Sequence, residues 1–306
     1  SRSGRGDALF AFSSMSDVRS SRSSDPQFTP IRTGFPWATA TSMMILVERG
    51  KVSLADPVSL YIPEFGKNGK ERVTIEQIMT HRAGLPPDNE IADYVGTSLD
   101  PIAEICKLQP SYEPGTRFVY SDVGFIVAAE IVRRVSGKRI DEFARENIYA
   151  PLGMSQTGYI PRETLAELQQ IIKTAKRGGT LSREKLEEKL EKYERSPLER
   201  IAPTEQREGR WMRGEVHDPR SYEMQGVAGH AGLFSTADDL AIFCQMILNR
   251  GEYNGTRILA PYTVERMVSA QSLPAPTSAA STGTISYHVA GGFDGSSMAT
   301  RNASRL

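Results

Sequence analysis

ATATSMMILV, residues 38–47, contains no charged side chain and is followed at once by Glu48-Arg49-Gly50. Charged residues and then a glycine are typical of the end of a helix. A helix that is apolar on nearly every face is buried on all sides, and ten residues fall well short of the roughly 20 that a membrane span needs. We therefore predict that residues 38–47 form the central helix of a domain.

Further helices are predicted on both sides of this segment from apolar periodicity, N-cap residues and Gly or Pro stops. The strongest of them is a second buried helix from Val123 to Val135, which ends at Ser136-Gly137. The others are a short helix at Val73–His81 with Thr74 as N-cap, a helix from near Ile140 to Pro151-Leu152-Gly153-Met154, a helix from Ala237 through Ile247 with a Thr236/Asp239 capping box, and a helix at Pro261–Val268.

The chain is best treated as a single domain, residues 1–306, with two unusual ends and one insertion. Its well-patterned body spans residues 38–270, and within it residues 162–200 include the charged stretch LSREKLEEKLEKYER, which predicts a solvated amphipathic helix. Residues 1–37 are rich in Ser and Arg without a helical or strand period, which predicts an atypical or disordered N-terminal part. Residues 271–306 have a similar texture and are interpreted as an atypical, truncated C-terminal part.

Composition favours a small-molecule partner. Lys plus Arg and Asp plus Glu both total 37, so no net field attracts nucleic acid or an anionic membrane. The sequence contains no apolar run of membrane-spanning or signal-peptide length. It starts without Met, so the compartment stays open, as does the oligomeric state.

Cys106 and Cys244 lie far apart in apolar stretches, which predicts two buried thiols rather than a disulfide.

Four segments in order resemble the serine β-lactamase-like family, which includes penicillin-binding proteins, class C β-lactamases and esterases. They are LVERGKVSLADPVSLYIPEF (46–65), VTIEQIMTHRAGLP (73–86), EPGTRFVYSDVGFIVAAEIVRRVSG (113–137) and GVAGHAGLFSTADDLAIF (226–243). The resemblance implies an α+β fold, in which an antiparallel sheet flanked by helices and assembled from the two chain ends packs against a mostly helical subdomain. It also implies acyl transfer through a serine ester, with an ester, an amide, a β-lactam or a D-amino-acid peptide as substrate and no cofactor.

Tyr120-Ser121-Asp122 resembles the Tyr-x-Asn or Tyr-x-Ser element of this family. The resemblance implies that Tyr120 faces the cleft as a base or proton relay, that Ser121 lies on the substrate side, and that Asp122 orients substrate or a lysine. The alternative interpretation makes Tyr120 a loop aromatic and Asp122 the N-cap of the helix that starts at Val123.

A Lys- or His-Thr/Ser-Gly strand borders the cleft in this family, and the stretch AGGFDGSS, residues 290–297, resembles it imperfectly. Gly291 and Gly292 are accordingly candidate substrate-binding residues, although we favour a simple Gly-rich loop.

His230, within the loop GVAGHAG, is a candidate catalytic residue, but we favour a structural hydrogen-bonding role for it. His81 is predicted to stabilise a turn, and His217-Asp218-Pro219 is interpreted as a surface turn. No pair of histidines has metal-ligand spacing, so no metal site is predicted.

The Ser-x-x-Lys element of the family is missing at its expected place. Counting back from the central helix puts these two positions on Arg32 and Phe35, and neither a guanidinium nor a phenyl ring can supply the nucleophile or accept its proton. The one Ser-x-x-Lys in the sequence, Ser182 to Lys185, lies in the charged insertion, where Ser182 is better explained as an N-cap.

Two hypotheses follow from this departure. The first is a defective or frameshifted copy of a serine hydrolase, with the reading frame displaced before about residue 37 and after about residue 270. The second is a pseudoenzyme, a non-catalytic relative that works as a binding or scaffold protein. An α/β-hydrolase is a poor third account, because the sequence has no Gly-x-Ser-x-Gly elbow.

Overall fold

The computed structural model describes residues 36–96, 100–166, 169 and 201–270, which form an α+β fold of helices with short antiparallel strands. The helices are α1 Trp37–Glu48, α2 Ile75–Met79, α3 Pro101–Lys107, α4 Asp122–Ser136, α5 Ile140–Ala144, α6 Ala150–Leu152, α7 Pro219–Glu223, α8 Ala237–Leu248 and α9 Pro261–Val268. The strands are β1 Gly158–Tyr159, β2 Gln206–Arg207, β3 Arg210–Trp211, β4 Leu233–Phe234, β5 Glu252–Tyr253 and β6 Thr256–Arg257.

Helix α1 is the centre of the fold, as its sequence predicts. Every residue from Ala38 to Leu46 is buried, and the helix packs against α4 and α5. Helix α4 begins after Ser121 and ends at Gly137, which takes the left-handed conformation at φ 74° that favours glycine. Its buried residues join those of α1 in one continuous core. These two helices therefore form the centre of the apolar core of the described part of the domain.

The predicted N-cap of α2 is confirmed, whereas only the Thr236 half of the capping box predicted for α8 is present. Thr74 and Gln77 form a complete capping box at the start of α2. Thr236 caps α8 as predicted, but the side chain of Asp239 does not complete the box; it accepts hydrogen bonds from the Gln156 N–H and the Thr157 hydroxyl, each at 2.8 Å. At this carboxylate a buried network with a distant loop takes precedence over the local cap.

One other prediction needs adjustment. Cys106 is a buried free thiol, but Cys244 is exposed, so the prediction of two buried thiols is wrong for the second. Cys244 follows buried Phe243 on α8, and one residue along a helix turns the side chain by about 100°, which takes Cys244 away from the core. The helix predicted from near Ile140 to Pro151-Leu152-Gly153-Met154 is confirmed: it continues through a π-helical turn at Arg145–Tyr149 and ends at Gly153, with Pro151 inside its last turn.

The described strands make three two-stranded antiparallel sheets: β1 with β4, β2 with β3, and β5 with β6. In the first of them Gly158 pairs with Phe234 and Tyr159 with Leu233, which joins parts of the chain on either side of the predicted insertion. Residues 1–35 and 271–306, from which the larger sheet was predicted, lie outside the described residues. So does most of the predicted insertion at 162–200, of which residues 162–166 and 169 are described and helical.

Among the described helices, none combines the length and the apolar character that crossing a membrane requires.

The loop Gly226–Gly232 presses against both central helices. The Thr39 hydroxyl, in the first turn of α1, donates a hydrogen bond to the carbonyl oxygen of Gly229 at 2.8 Å. On the other side, a Cβ atom added to Gly229 would lie 1.9 Å from the carbonyl oxygen of Phe125 in α4 and 2.7 Å from the Ala129 Cβ. Glycine is therefore required at position 229 for close approach of two backbones, not for an unusual φ angle.

His81 ties the turn after α2 to the segment that leads into α4, as predicted for a turn-stabilising residue. The Val119 N–H donates to the carbonyl oxygen of His81 at 2.9 Å, and the Ser121 N–H donates to its ring atom Nδ1 at 3.1 Å. Burial lowers the pKa of His81 to about 4. The imidazole is therefore neutral at pH 7, which suits a ring nitrogen that accepts a hydrogen bond.

Replacing Gly229 by Ala should destabilise the fold by about 3 kcal/mol or more, since the new methyl group must displace the backbone of α4. Gly137→Ala is the matched control, because its Cβ would meet nothing within 4 Å and only the positive φ opposes it; about 1 kcal/mol is expected there. Urea unfolding of both variants measures the difference. Equal losses at the two positions would contradict the close approach of the loop to α4.

The stability of the wild type should fall as pH drops from 6.5 to about 4, because unfolding lets His81 take up a proton that the folded state binds poorly. The sign follows from a folded pKa of about 4 against an ordinary value of 6.5, and the full effect is about 3 kcal/mol. Urea titrations of wild type and His81→Gln, compared at pH 7 and pH 4.5, isolate this contribution from that of the carboxylates. His217→Gln, at an exposed histidine, should keep the wild-type pH dependence; an identical dependence in His81→Gln would refute the assignment.

Candidate active site

Tyr120 stands at the entrance to α4 with its ring against that of His81, the two centroids being 4.6 Å apart. It keeps 41% of its surface exposed, and its hydroxyl hydrogen-bonds to the carboxylate of Asp122. Burial of the hydroxyl end and the nearby negative charge of Asp122 raise the pKa of Tyr120 above its ordinary value. The phenol is thus a protonated donor toward Asp122.

Ser121 is turned into the protein. Its hydroxyl donates to the carbonyl oxygen of Pro86 at 2.6 Å and accepts from the Gly124 N–H, which makes Ser121 the N-cap of α4. The alternative interpretation that Asp122 caps this helix is therefore wrong, because the helix starts one residue earlier than predicted. Ser121, predicted on the substrate side, is buried and serves to hold Tyr120 and Asp122 in place.

Asp122 is the first residue of α4, and its N–H donates to the carbonyl oxygen of Pro87 at 2.9 Å. Burial raises the pKa of the Asp122 carboxyl, and the charge of His230 and the hydrogen bond from Tyr120 offset this only in part. A buried carboxylate without a close cation binds its proton more tightly than one in water. Asp122 is the acceptor at the centre of the site.

His230 lies behind Asp122 and is 1% exposed. Its Nε2 is 2.9 Å from Oδ1 of Asp218, and the same oxygen accepts the Ser221 N–H at 2.7 Å as the N-cap of α7. Burial would raise the pKa of the Asp218 carboxyl, but the hydrogen bond and charge of His230, with the Ser221 N–H, hold it below its usual range. Asp218 is therefore ionised at neutral pH and accepts from both donors.

Helix α7 is bound to the opposite wall of the site through Arg220. Its Nε donates to the carbonyl oxygen of Asn89 at 3.0 Å, and its Nη1 lies 3.3 Å from a carboxylate oxygen of Asp88. The loop at Pro86–Asn89 is the one that receives the bonds from Ser121 and Asp122. Two segments far apart in sequence, 86–89 and 218–220, thus enclose the Tyr120–Asp122 pair from two sides.

Donor atoms of Asp122, Asp218 and His230 lie within 4.8 Å of one another, a spacing that a divalent cation could bridge. In this structure Asp218 and His230 instead form a direct hydrogen bond with each other. We interpret the three residues as a hydrogen-bonded and electrostatic cluster and assign them no metal.

The structure brings together the predicted site residues Tyr120, Asp122 and His230. They lie near the N-terminal end of α1, because the Thr39 hydroxyl of that helix donates a hydrogen bond to Gly229, the residue before His230. Gly291 and Gly292 lie outside the described residues, as do Arg32, Phe35 and the Ser182–Lys185 stretch. Sequence reasoning missed Asp218, which it placed in a surface turn. The signal was an Asp before a Pro, an N-cap followed by a favoured first helical residue.

Comparison with known proteins gives concordant matches. The family model described as Beta-lactamase matches residues 38–306. An N-acetylmuramyl-L-alanine amidase of Bacillus subtilis (strain 168) is 30% identical over 255 residues, which are 79% of this chain and 54% of that protein. The chain thus spans about half the length of this curated relative.

Solved structures share the fold. The octameric penicillin-binding protein homologue from Pyrococcus abyssi superposes with a TM-score of 0.53 at 24% identity, covering 80% of this chain and 49% of that one. A D-stereospecific amidohydrolase from Streptomyces sp. gives a TM-score of 0.53 at 18% identity, covering 81% and 67%. With a family match over most of its length, this chain belongs to the serine β-lactamase-like family.

Proposed function

We propose that this chain carries the helical body and the tyrosine side of a serine hydrolase that works by acyl transfer on a small ester, amide, β-lactam or D-amino-acid peptide. The observation that carries the proposal is the cluster of Tyr120, Asp122 and His230 at the head of α4, next to the leading end of α1. The amidase name of the Bacillus subtilis relative supports an amide or peptide bond among these substrates.

In this proposal Tyr120 takes and returns the proton of the attacking hydroxyl. Its own proton points to Asp122, so the lone pairs of the phenolic oxygen are free to face the cleft. As the nucleophile loses its proton to Tyr120, the phenolic proton moves toward Asp122, whose raised pKa favours the transfer. The raised pKa of Tyr120 disfavours a free phenolate, so a relay through Asp122 fits this site better than a permanently ionised base.

The nucleophile itself is not supplied by the sequence as it stands, since Arg32 and Phe35 occupy the Ser and Lys positions of the family. The family match begins at residue 38, directly after this segment. We propose that the reading frame before about residue 37 is displaced, which makes the chain a defective copy of an active enzyme. The same proposal covers the part after about residue 270, where residues 290–297 resemble the family's strand imperfectly.

Sequencing the coding DNA tests the displaced frame. An alternative frame upstream of Ala38 that encodes Ser-x-x-Lys at the spacing of positions 32 and 35 is the expected result. A single open frame that reproduces residues 1–37 with no such alternative would remove this proposal and favour the second candidate, a non-catalytic binding or scaffold relative.

Covalent labelling with a fluorescent penicillin or an alkyl phosphonate tests the hydrolase site. The chain as given should not be labelled, because it lacks the nucleophile, whereas the frame-corrected chain should be. In the corrected chain, Tyr120→Phe should slow labelling about 100-fold or more, since it removes the proton relay. Tyr262→Phe, at an exposed tyrosine of α9, is the matched control and should label like the parent. Labelling that survives Tyr120→Phe unchanged would overturn the role of Tyr120.

A further inference from the structure

We propose that His81 is a positioning residue for Tyr120: its ring atom Nδ1 and its carbonyl oxygen hold the residues on either side of Tyr120, so that the phenol stays aimed at Asp122. His81 touches neither the substrate nor the reacting atoms in this proposal. The proposal deepens the proposed function and rests on it for its catalytic consequence, whereas its geometric part concerns the folded chain alone.

Two hydrogen bonds from the segment before α4 converge on His81. The Val119 N–H donates to the carbonyl oxygen of His81 at 2.9 Å, and the Ser121 N–H donates to Nδ1 of its ring at 3.1 Å. Ser121 is extended, with φ −144° and ψ 116°, and in an extended segment alternate N–H groups point to the same side. The two bonds together fix the peptide groups that flank Tyr120, and with them the direction in which its side chain leaves the backbone.

The imidazole ring of His81 also supports the phenol directly. The ring of Tyr120 lies against it, with the centroids 4.6 Å apart and the planes at 34°. The same imidazole packs on Phe125 of α4, at a centroid distance of 5.2 Å, and Phe125 is buried. Rings at these separations attract one another. Tyr120 therefore rests on a buried ring that is itself packed on the helix carrying Asp122.

The backbone of His81 has an unusual conformation. Its φ angle is 55°, in the left-handed region, and it directly follows Thr80, the C-cap of α2. Gly or Asn usually occupies the left-handed position after a helix, because a larger side chain is strained there. A strained residue in a folded protein points to a role that an unstrained one could not fill. The hydrogen bond from Ser121 gives the His81 side chain such a role.

The protonation state of His81 suits an acceptor. Burial lowers the pKa of its imidazole to about 4, so the ring is neutral at pH 7 and Nδ1 keeps the lone pair that the Ser121 N–H requires. Because Nδ1 accepts, the single ring hydrogen of the neutral imidazole is on Nε2. His81 is thus held in one tautomer by the same hydrogen bond with which it holds Ser121.

The effect of His81 reaches Asp122 through the hydroxyl of Tyr120. That hydroxyl hydrogen-bonds to the Asp122 carboxylate and lowers its pKa, against the raising effect of burial. If residues 119–121 lose their attachment to His81, the phenol is free to turn away from Asp122, and the pKa of Asp122 should rise further. The proton relay of the proposed function would lose its alignment at the same time.

Two substitutions at position 81 separate the side chain from the turn. Gly and Asn both suit a left-handed residue, but only Asn has a side-chain oxygen that can accept the Ser121 N–H. The carboxyl carbon of Asp122, followed by NMR as a function of pH, should titrate about one pH unit higher in His81→Gly than in His81→Asn. Both variants lack the imidazole, so its own protonation does not enter the comparison. Equal pKa values of Asp122 in the two variants would overturn the proposal.

A control variant and a measurement on the wild type complete the test. Thr74→Ala removes the N-cap of α2 and weakens the same helix without touching the contacts of Tyr120, so Asp122 should titrate as in wild type. A shift as large as that in His81→Gly would mean a general loosening of α2 and would contradict a specific role. In the wild type, a scalar coupling across the hydrogen bond between the Ser121 amide nitrogen and Nδ1 of His81 is expected; its absence would overturn the proposal without any variant.

Labelling connects this arrangement to the reaction. In the frame-corrected chain, His81→Gly should slow labelling by fluorescent penicillin about 10-fold or more, and His81→Asn should recover most of the parent rate. Equal rates in His81→Gly and its parent would overturn the catalytic consequence. If the corrected parent chain is not labelled at all, the hydrolase proposal fails, and the NMR comparison still decides the role of His81 because it needs no hydrolysis.

Discussion

The described structure depends on the contact of one backbone segment with two helices. Gly229 accepts a hydrogen bond from Thr39 of α1 on one side and lies against the carbonyl oxygen of Phe125 in α4 on the other. On the α4 side no side chain fits at position 229, so the backbone of the loop lies directly against that of the helix, while the Thr39 hydroxyl holds the loop to α1. His230 is the next residue, and its place in the site follows from this contact.

Burial and charge together define what the site can do. Tyr120 and Asp122 share a hydrogen bond in surroundings that disfavour the charged form of each, and both pKa values are raised for that reason. Because both groups resist ionisation, the site favours a hydrogen-bonded neutral phenol over a standing phenolate base.

The residues that enclose the site come from parts of the chain that lie far apart in sequence. Ser121 anchors the head of α4 to Pro86, and Arg220 anchors α7 to Asn89, so one short loop receives both anchors. His81 adds a third connection, to the segment that leads into α4, because its Nδ1 accepts a hydrogen bond from the Ser121 N–H. Tyr120 is therefore held by its neighbours on both sides while its ring stays accessible, which is the arrangement expected of a residue that meets a ligand.

The sequence alone determined the buried helices α1 and α4, the caps at Thr74 and Thr236, and the family, because apolar periodicity, capping chemistry and ordered motifs are local properties of the chain. It also identified Tyr120 and Asp122 correctly as neighbours at one helix start. Only the tertiary structure decided that Ser121, not Asp122, caps that helix, that Asp239 bonds to a distant loop, and that Asp218 faces His230. These outcomes depend on which hydrogen-bond donors and acceptors meet when distant parts of the chain pack together. A buried polar group pairs with the partner that packing brings to it, even where its neighbours in sequence could also form a hydrogen bond.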